Sequence, residues 1–335
     1  MTDHILWQKD HLDLLDQRML PLEEVRIRLY SAPEVAQAIS DLVVRGAPAI
    51  GITAAYGLVL AARSGQDLDE AYRRLLSARP TAVNLKWALD RMMRVSGRGG
   101  GQVAERLEEE ARRIHEEDIA LCRAIGASGR RLAPPGSRVM THCNAGSLAT
   151  GGYGTALGVI RAAHEEHGSI QVLAGETRPV LQGARLTAWE LSREGIDVSL
   201  LPDSAAGYLM SRGEIDLVVV GADRVSVSGH VANKIGTYQL AVLAREHGIP
   251  FYVAMPRSTI DPGDFDHAVI EERPASEVTH LGEIRLAAEG IGVRNPAFDI
   301  TPPHLITAFI TDAGIVWPPF APHLGLLVEG EIENA

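Results

Sequence analysis

Three short clusters of reactive side chains in this 335-residue sequence each follow an apolar run. Thr141-His142-Cys143-Asn144-Ala145-Gly146 follows SRVM, Glu176-Thr177-Arg178-Pro179 follows IQVLAG, and Asp223-Arg224-Val225 follows DLVVVGA. A thiolate can abstract a proton or act as a nucleophile. A carboxylate partly shielded by apolar neighbours keeps its proton to higher pH. Cys143 and Asp223 are therefore a candidate acid–base pair. Cys143 also precedes a glycine-rich turn and a helical pattern, a setting that lowers a thiol pKa. A buried structural cysteine and a capping aspartate are the alternatives.

Candidate anion-binding groups lie elsewhere. Asn233-Lys234 opens a helical pattern, from which Lys234 could reach an anion held at the helix N-terminus. Arg45-Gly46-Ala47-Pro48-Ala49-Ile50-Gly51 is a second glycine turn entering a helix, and Arg45 there could clamp a phosphate. Ordinary surface roles for Lys234 and Arg45 are the alternatives. Arg79, in RPTAVNL, and Gln182 are further candidates.

The elements that must position these residues follow from periodicity. Residues 1–30 read as short strands with a turn at Leu20-Pro21. Ser31 caps a helix with Pro33 and Glu34 in its first turn. Ala- and Leu-rich helices continue to about Arg131, and ERLEEEARRIHEEDIALCRAIG forms a solvated amphipathic helix on which Cys122 is a small apolar residue. SGRGGGQ (96–102) reads as a loop between helices. Beyond Pro134-Pro135-Gly136, strands at 137–143, 170–175, 197–201, 216–222 and 250–255 alternate with helices at 152–166, 182–195, 204–213 and 233–248. That alternation predicts βαβ units and a parallel sheet. The expected fold is α/β: a small, mainly helical N-terminal domain (1–130) and a Rossmann-like, parallel-sheet catalytic domain (131–335). Ligands bind beyond the carboxyl ends of such strands, so the three clusters should open on one rim.

A net charge of -11 and a pI near 5.6 argue against a nucleic-acid partner. The two cysteines form neither a disulfide framework nor a zinc motif, and a reducing, cytoplasmic setting is expected. The N-terminus lacks signal-peptide texture, and the apolar run 47–62 is too broken by Pro48, Gly51 and Gly57 to span a bilayer. No complete Gly-x-Gly-x-x-Gly is present, because Leu157 stands where the third glycine after Gly152 and Gly154 should be. Walker, His-Glu-x-x-His and Gly-x-Ser-x-Gly motifs are also missing. His164 and His167 read as surface residues. A cofactor-independent enzyme, with no metal, fits this set.

RGAPAIG (45–51), RPTAVNL (79–85), THCNAGSLATGGYGTALGVI (141–160), ETRPVLQGARLTAWEL (176–191), GADRV (221–225), ANKIGTYQLA (232–241), PRSTID (256–261) and NPAFDITP (295–302) occur in this order. On these segments the chain resembles the family of S-methyl-5-thioribose-1-phosphate isomerases of methionine salvage. That family is grouped with ribose-1,5-bisphosphate isomerases and the regulatory subunits of translation initiation factor 2B. The resemblance implies an aldose–ketose isomerase acting on a small phosphorylated sugar, with Cys143 and Asp223 catalytic and Asp223 the proton donor. It implies substrate contacts from Arg45, Gly46, Ala47, Arg79, Gln182, Asn233 and Lys234, and a homodimer. Other 1-phosphorylated pentoses, or a non-catalytic regulatory role, are the alternatives.

Overall fold

The structure, a computed structural model, describes residues 3–79, 82–97, 102–263 and 270–329. Most of the glycine-rich stretch (98–101), and Pro80-Thr81 of RPTAVNL, lie outside the described residues. The chain forms two compact units. One comprises residues up to Arg123 together with Ala145–Gly154, and the other Ala124–Asn144 together with the chain from Thr155 onward.

In the first unit β1 (Ile5–Trp7), β2 (Leu12–Leu15) and β3 (Arg26–Leu29) form an antiparallel sheet. Ser31 caps α1 (Ala32–Ser40) by accepting the Glu34 N–H, as its position predicts. In α2 (Ala47–Arg63) every residue from Ala49 to Ala61 is buried, so this helix is apolar all round and runs through the core. It packs on α1, α3 (Leu68–Ala78) and α4 (Val83–Ser96). The charged helix α5 (Val103–Gly129), which belongs to this unit as far as Arg123, buries Leu107, Ala111, Ile114 and Cys122 there and Ile125 beyond it. Successive positions are three, four or, from Ile114 to Cys122, eight residues apart, which places them on one face. Residues 145–154 belong to this unit. Gln17 Nε2 donates to the Leu148 carbonyl at 2.8 Å, His115 Nε2 to the Gly151 carbonyl at 2.7 Å, and the Gly151 N–H is held by Asp118.

The second unit is built on a seven-stranded sheet. Its strands are β4 (Arg138–Thr141), β5 (Gln171–Gly175), β6 (Asp197–Leu201), β7 (Leu217–Val220), β10 (Phe251–Ala254), β15 (Ala308–Thr311) and β16 (Gly314–Val316). The spatial order is β16-β15-β10-β7-β4-β5-β6, and every pairing is parallel except the edge hairpin β15–β16. β4, β7, β10 and β15 are almost wholly buried, as a sheet covered on both faces requires. The chain starts at the centre, runs to the β6 edge, returns beside β4 and continues the other way. This is the doubly wound order, with its reversal between β4 and β7.

The helical segments of this unit are shorter than the periodicity predicts. α6 (Ala156–His167) begins four residues late, because Gly152 and Gly154 take positive φ angles of 149° and 90°. The segment after β5 starts as a π-turn (Gly183–Thr187) and becomes α7 only at Ala188–Arg193, and α8 is Ala206–Ser211. A second small sheet was not foreseen. It contains β8 (Arg224–Ser226), β9 (Val231–Lys234), β11 (Ile260–Asp261) and β14 (Phe298–Thr301), in the order β11-β8-β9-β14. β12 (His280–Leu281) and β13 (Ile284–Arg285) form a separate hairpin. Asn233 and Lys234 therefore end a strand and do not open a helix. Gly236, at φ 102°, breaks the chain before α9 (Thr237–Glu246) begins.

Candidate active site

Cys143 stands two residues beyond β4 and Asp223 three residues beyond β7, on neighbouring parallel strands. The Thr141 hydroxyl donates to the Val219 carbonyl at 2.8 Å, which locks the register of the two strand ends. Both residues thus flank the reversal point of the sheet, where doubly wound folds hold their ligands. Cys143 is half-buried. The first α-helix after it starts at Ala156, beyond a 3-10 turn at Ser147–Ala149 and a bridge that folds Gly154 back onto Gly146. Asp223 is exposed, so the described residues do not supply the apolar shielding expected of it. Its N–H donates to the Ala232 carbonyl at 3.1 Å, which fixes it on the β8–β9 hairpin.

The backbone around Cys143 is strained. Cys143, Thr177 and Leu181 have φ angles of 60°, 63° and 62°. Left-handed backbone costs a residue with a side chain about 1–2 kcal/mol, and it is least tolerated at β-branched residues such as Thr177. Hydrogen bonds hold the arrangement. The Cys143 N–H donates to Thr177 Oγ1 at 2.8 Å, and the Thr187 hydroxyl donates to the Cys143 carbonyl at 2.6 Å. The Asp203 carboxylate accepts the N–H groups of Thr177 and Arg178 at 2.8 and 2.7 Å. Arg178 itself turns away, donating to the carbonyls of Pro179 and Val278.

His142 ties this turn to the next strand end. Its Nε2 donates to the Ile235 carbonyl at 2.8 Å, and burial pushes the imidazole below its ordinary pKa. The neutral ring with the proton on Nε2 is thereby selected. A Cβ on Gly236 would come within 3.0 Å of that nitrogen, so glycine is required there. Gly183 is tighter still. An added Cβ would lie 1.8 Å from the Gly175 carbonyl oxygen, so the π-turn is pressed directly onto the end of β5. Gln182, just before that turn, is 9% exposed, and its Oε1 is buried without a hydrogen-bond partner among the described residues. A buried acceptor left in that state is ready to receive a ligand donor.

Asn233 and Lys234 are neighbours in a strand and face opposite sides. Asn233 Nδ2 donates to Thr237 Oγ1 at 3.0 Å, whereas Lys234 Nζ lies 4.8 Å from the centre of the Phe298 ring. Asp299, paired with Asn233 across β9 and β14, caps α9 by accepting the N–H groups of Gly236 and Tyr238 at 2.7 and 3.0 Å. Burial raises Asp299 to about 6, against the opposing pull of those N–H groups and of Lys234.

The first unit holds the other sequence candidates. Gly46 is the N-cap of α2 at φ 94°, and a Cβ there would meet the Ala149 carbonyl oxygen at 2.3 Å. The first intrahelical bond runs from the Ile50 N–H to the Gly46 carbonyl, so the amides of Ala47 and Ala49 point free of the helix ladder beside half-buried Arg45. That is an anion-binding geometry. Arg79 is the C-cap of α3. Reasoning from the sequence gave no role to Thr177, although it lies in one of the three clusters, and missed Thr187, Glu190, Asp203 and Asp299. Their roles depend on contacts between distant segments, and the one local sign was a carboxylate, Glu190, among the apolar residues of LTAWEL.

Residues 43–318 match the initiation factor 2 subunit family. The methylthioribose-1-phosphate isomerase of Pelotomaculum thermopropionicum is 55% identical over 350 aligned positions, covering all of this chain and 96% of its own. Among solved structures, the 5-methylthioribose 1-phosphate isomerase of Pyrococcus horikoshii is 42% identical with a TM-score of 0.93, covering 98% of this chain and 96% of its own. The translation initiation factor eIF-2B subunit delta of A. fulgidus is 43% identical with a TM-score of 0.89, covering 98% and 100%.

Proposed function

The chain belongs to the initiation factor 2 subunit family, and on that premise we propose that it is an aldose–ketose isomerase of methionine salvage. The reaction is conversion of S-methyl-5-thio-α-D-ribose 1-phosphate to S-methyl-5-thio-D-ribulose 1-phosphate. The observation that carries this reading is the end-to-end match to relatives of that name, at 53–58% identity over nearly the whole chain.

The chemistry follows from the substrate. A phosphate on C1 blocks the anomeric centre, so the furanose ring must open with the phosphate in place. Once bound substrate shields it from water, Asp223, beyond the end of β7, holds a proton and gives it to the ring oxygen as the C1–oxygen bond breaks. Cys143 as thiolate takes the proton from C2, leaving an enol, and returns it to C1. The proton released from the C2 hydroxyl as the ketone forms restores Asp223. Gln182, with its unpartnered buried oxygen, accepts a substrate hydroxyl. Asn233 and Lys234 supply further contacts, and the phosphate takes the cationic one. The same reading entails a cytoplasmic homodimer, and sedimentation of the purified chain measures its oligomeric state.

Turnover of the methylthio sugar tests the proposal, with 5-deoxyribose 1-phosphate and ribose 1,5-bisphosphate as competitors. Preference for either competitor would replace the substrate. Solvent deuterium at C1 of the product supports the thiolate route, and full retention of the C2 hydrogen supports a hydride shift. The A. fulgidus relative favours one other reading, a regulatory subunit. Stable capture of heterologous partners with no turnover of any of the three sugars would establish it.

A further inference from the structure

We propose that Thr187, anchored through Asn144 to Glu190 and Arg161, is a positioning residue that sets the direction of the Cys143 thiol. The inference rests on the reading of Cys143 as the proton-transfer group.

The hydrogen bonds form a chain with one sense. Glu190 is 1% exposed, and its Oε2 accepts from Arg161 Nη2 at 2.7 Å. Arg161 is 2% exposed, and its Nε also donates to Glu194 at 2.6 Å. Both carboxylates of this ion-paired set are acceptors only. Glu190 Oε1 accepts from Asn144 Nδ2 at 2.8 Å, which decides which end of the Asn144 amide faces it. The same Nδ2 donates to Thr187 Oγ1 at 3.1 Å. A hydroxyl that accepts from an amide must aim its own proton elsewhere, and that proton goes to the Cys143 carbonyl.

Asn144 is 4% exposed and Thr187 is fully buried, so water does not substitute for either. At the other side of the same residue the Thr177 hydroxyl accepts the Cys143 N–H. Both polar backbone groups of Cys143 are thus pinned while its φ is held at 60°. With φ and the following peptide plane restrained, the Cα–Cβ direction is restrained too. Pre-oriented groups of this kind raise the rate of a proton transfer without strengthening ground-state binding. The π-turn that ends at Thr187 brings this hydroxyl to the Cys143 carbonyl, and π-turns recur where a functional group needs such re-aiming.

The test compares Thr187→Val, which keeps the shape and removes the hydroxyl, with Thr187→Ser, which keeps the hydroxyl. Cys143→Ala runs alongside. Readouts are kcat, KM, the urea midpoint and the iodoacetamide alkylation rate of Cys143 against pH, followed by peptide mass. Thr187→Val should lower kcat on the order of 10-fold with KM within about twofold. It should also shift the alkylation profile of Cys143, and Thr187→Ser should restore both. Unchanged kcat and alkylation in folded Thr187→Val would overturn the proposal, as would a Thr187→Ser variant no better than Thr187→Val. Normal turnover by Cys143→Ala would remove the catalytic reading of Cys143, and the alkylation profile alone would then decide positioning. If Thr187→Val does not fold, Glu190→Gln carries the test. A smaller loss in the same direction supports the inference, and unchanged kcat and alkylation refute it.

Discussion

Cys143 and Asp223 leave the carboxyl ends of two adjacent parallel strands, β4 and β7, between which the order of the sheet reverses. One strand begins the first half of the sheet and the other begins the second. The crevice that opens at such a reversal is a consequence of the connections running to opposite sides. It puts a thiol and a carboxylate that are 80 positions apart in the chain at a single rim.

Cys143→Ser and Asp223→Asn should each lower kcat by on the order of 10²-fold or more while leaving the urea midpoint near that of the parent. Steady-state kinetics on the methylthio sugar phosphate checks this. Near-normal kcat in either variant takes that residue out of the mechanism.

Gln182→Leu should move stability and affinity in opposite directions. It removes a buried acceptor without a partner, so the free protein gains about 1 kcal/mol or more. The same change deletes a substrate contact, so KM rises. Urea unfolding and KM measured on one preparation check the pair of signs.

Arg161→Met should destabilise the protein by about 3–5 kcal/mol, because it strands the buried carboxylate of Glu190. Adding Glu190→Gln to that variant should recover part of the loss. A double variant as unstable as the sum of the singles would show that the two residues are not coupled.

Gly183→Ala should cost about 3 kcal/mol, since the new Cβ would overlap a backbone carbonyl that has no rotamer to move. Gly325→Ala is the contrast. Gly325 sits in the last helix (Phe320–Glu329), and a methyl group added there would have no neighbour within 4 Å among the described residues. Alanine at that position should stabilise by about 0.5–1 kcal/mol. Denaturation midpoints of the two variants check the opposite signs.

Asp299 gives a dependence on pH. Its folded-state pKa, about 6, is above its ordinary value of 3.8. Between those values the folded protein keeps a proton that the unfolded chain releases. The stabilisation is complete below about pH 4 and is lost as the pH rises through about 6. Asp299→Asn does not titrate, so its stability relative to the parent should rise over that window, by up to about 3 kcal/mol, and then level off. Urea unfolding from about pH 4 to about pH 7.5 checks the direction, and a difference that falls with pH would contradict the assignment.

Much of this protein follows from its sequence alone. The alternation of apolar runs with helical periods specifies a parallel sheet, because strands buried on both faces and crossover helices leave that pattern in any chain. Ser31 reads as a cap from its neighbours alone. Cys143, Asp223 and the RGAPAIG turn are visible as unusual residues at element ends. Tertiary structure alone decided the rest. Strand order cannot be read from periodicity, so the reversal between β4 and β7 was hidden. The β8–β9 hairpin displaced the predicted start of α9, because Gly236 breaks the helix and β14, more than sixty residues later, pairs with Asn233 and Lys234. The return of residues 145–154 to the first unit was equally hidden. So was the line from Arg161 to the Cys143 carbonyl. Each link in it joins residues far apart in the chain, and a hydrogen bond between distant segments leaves no period in the sequence.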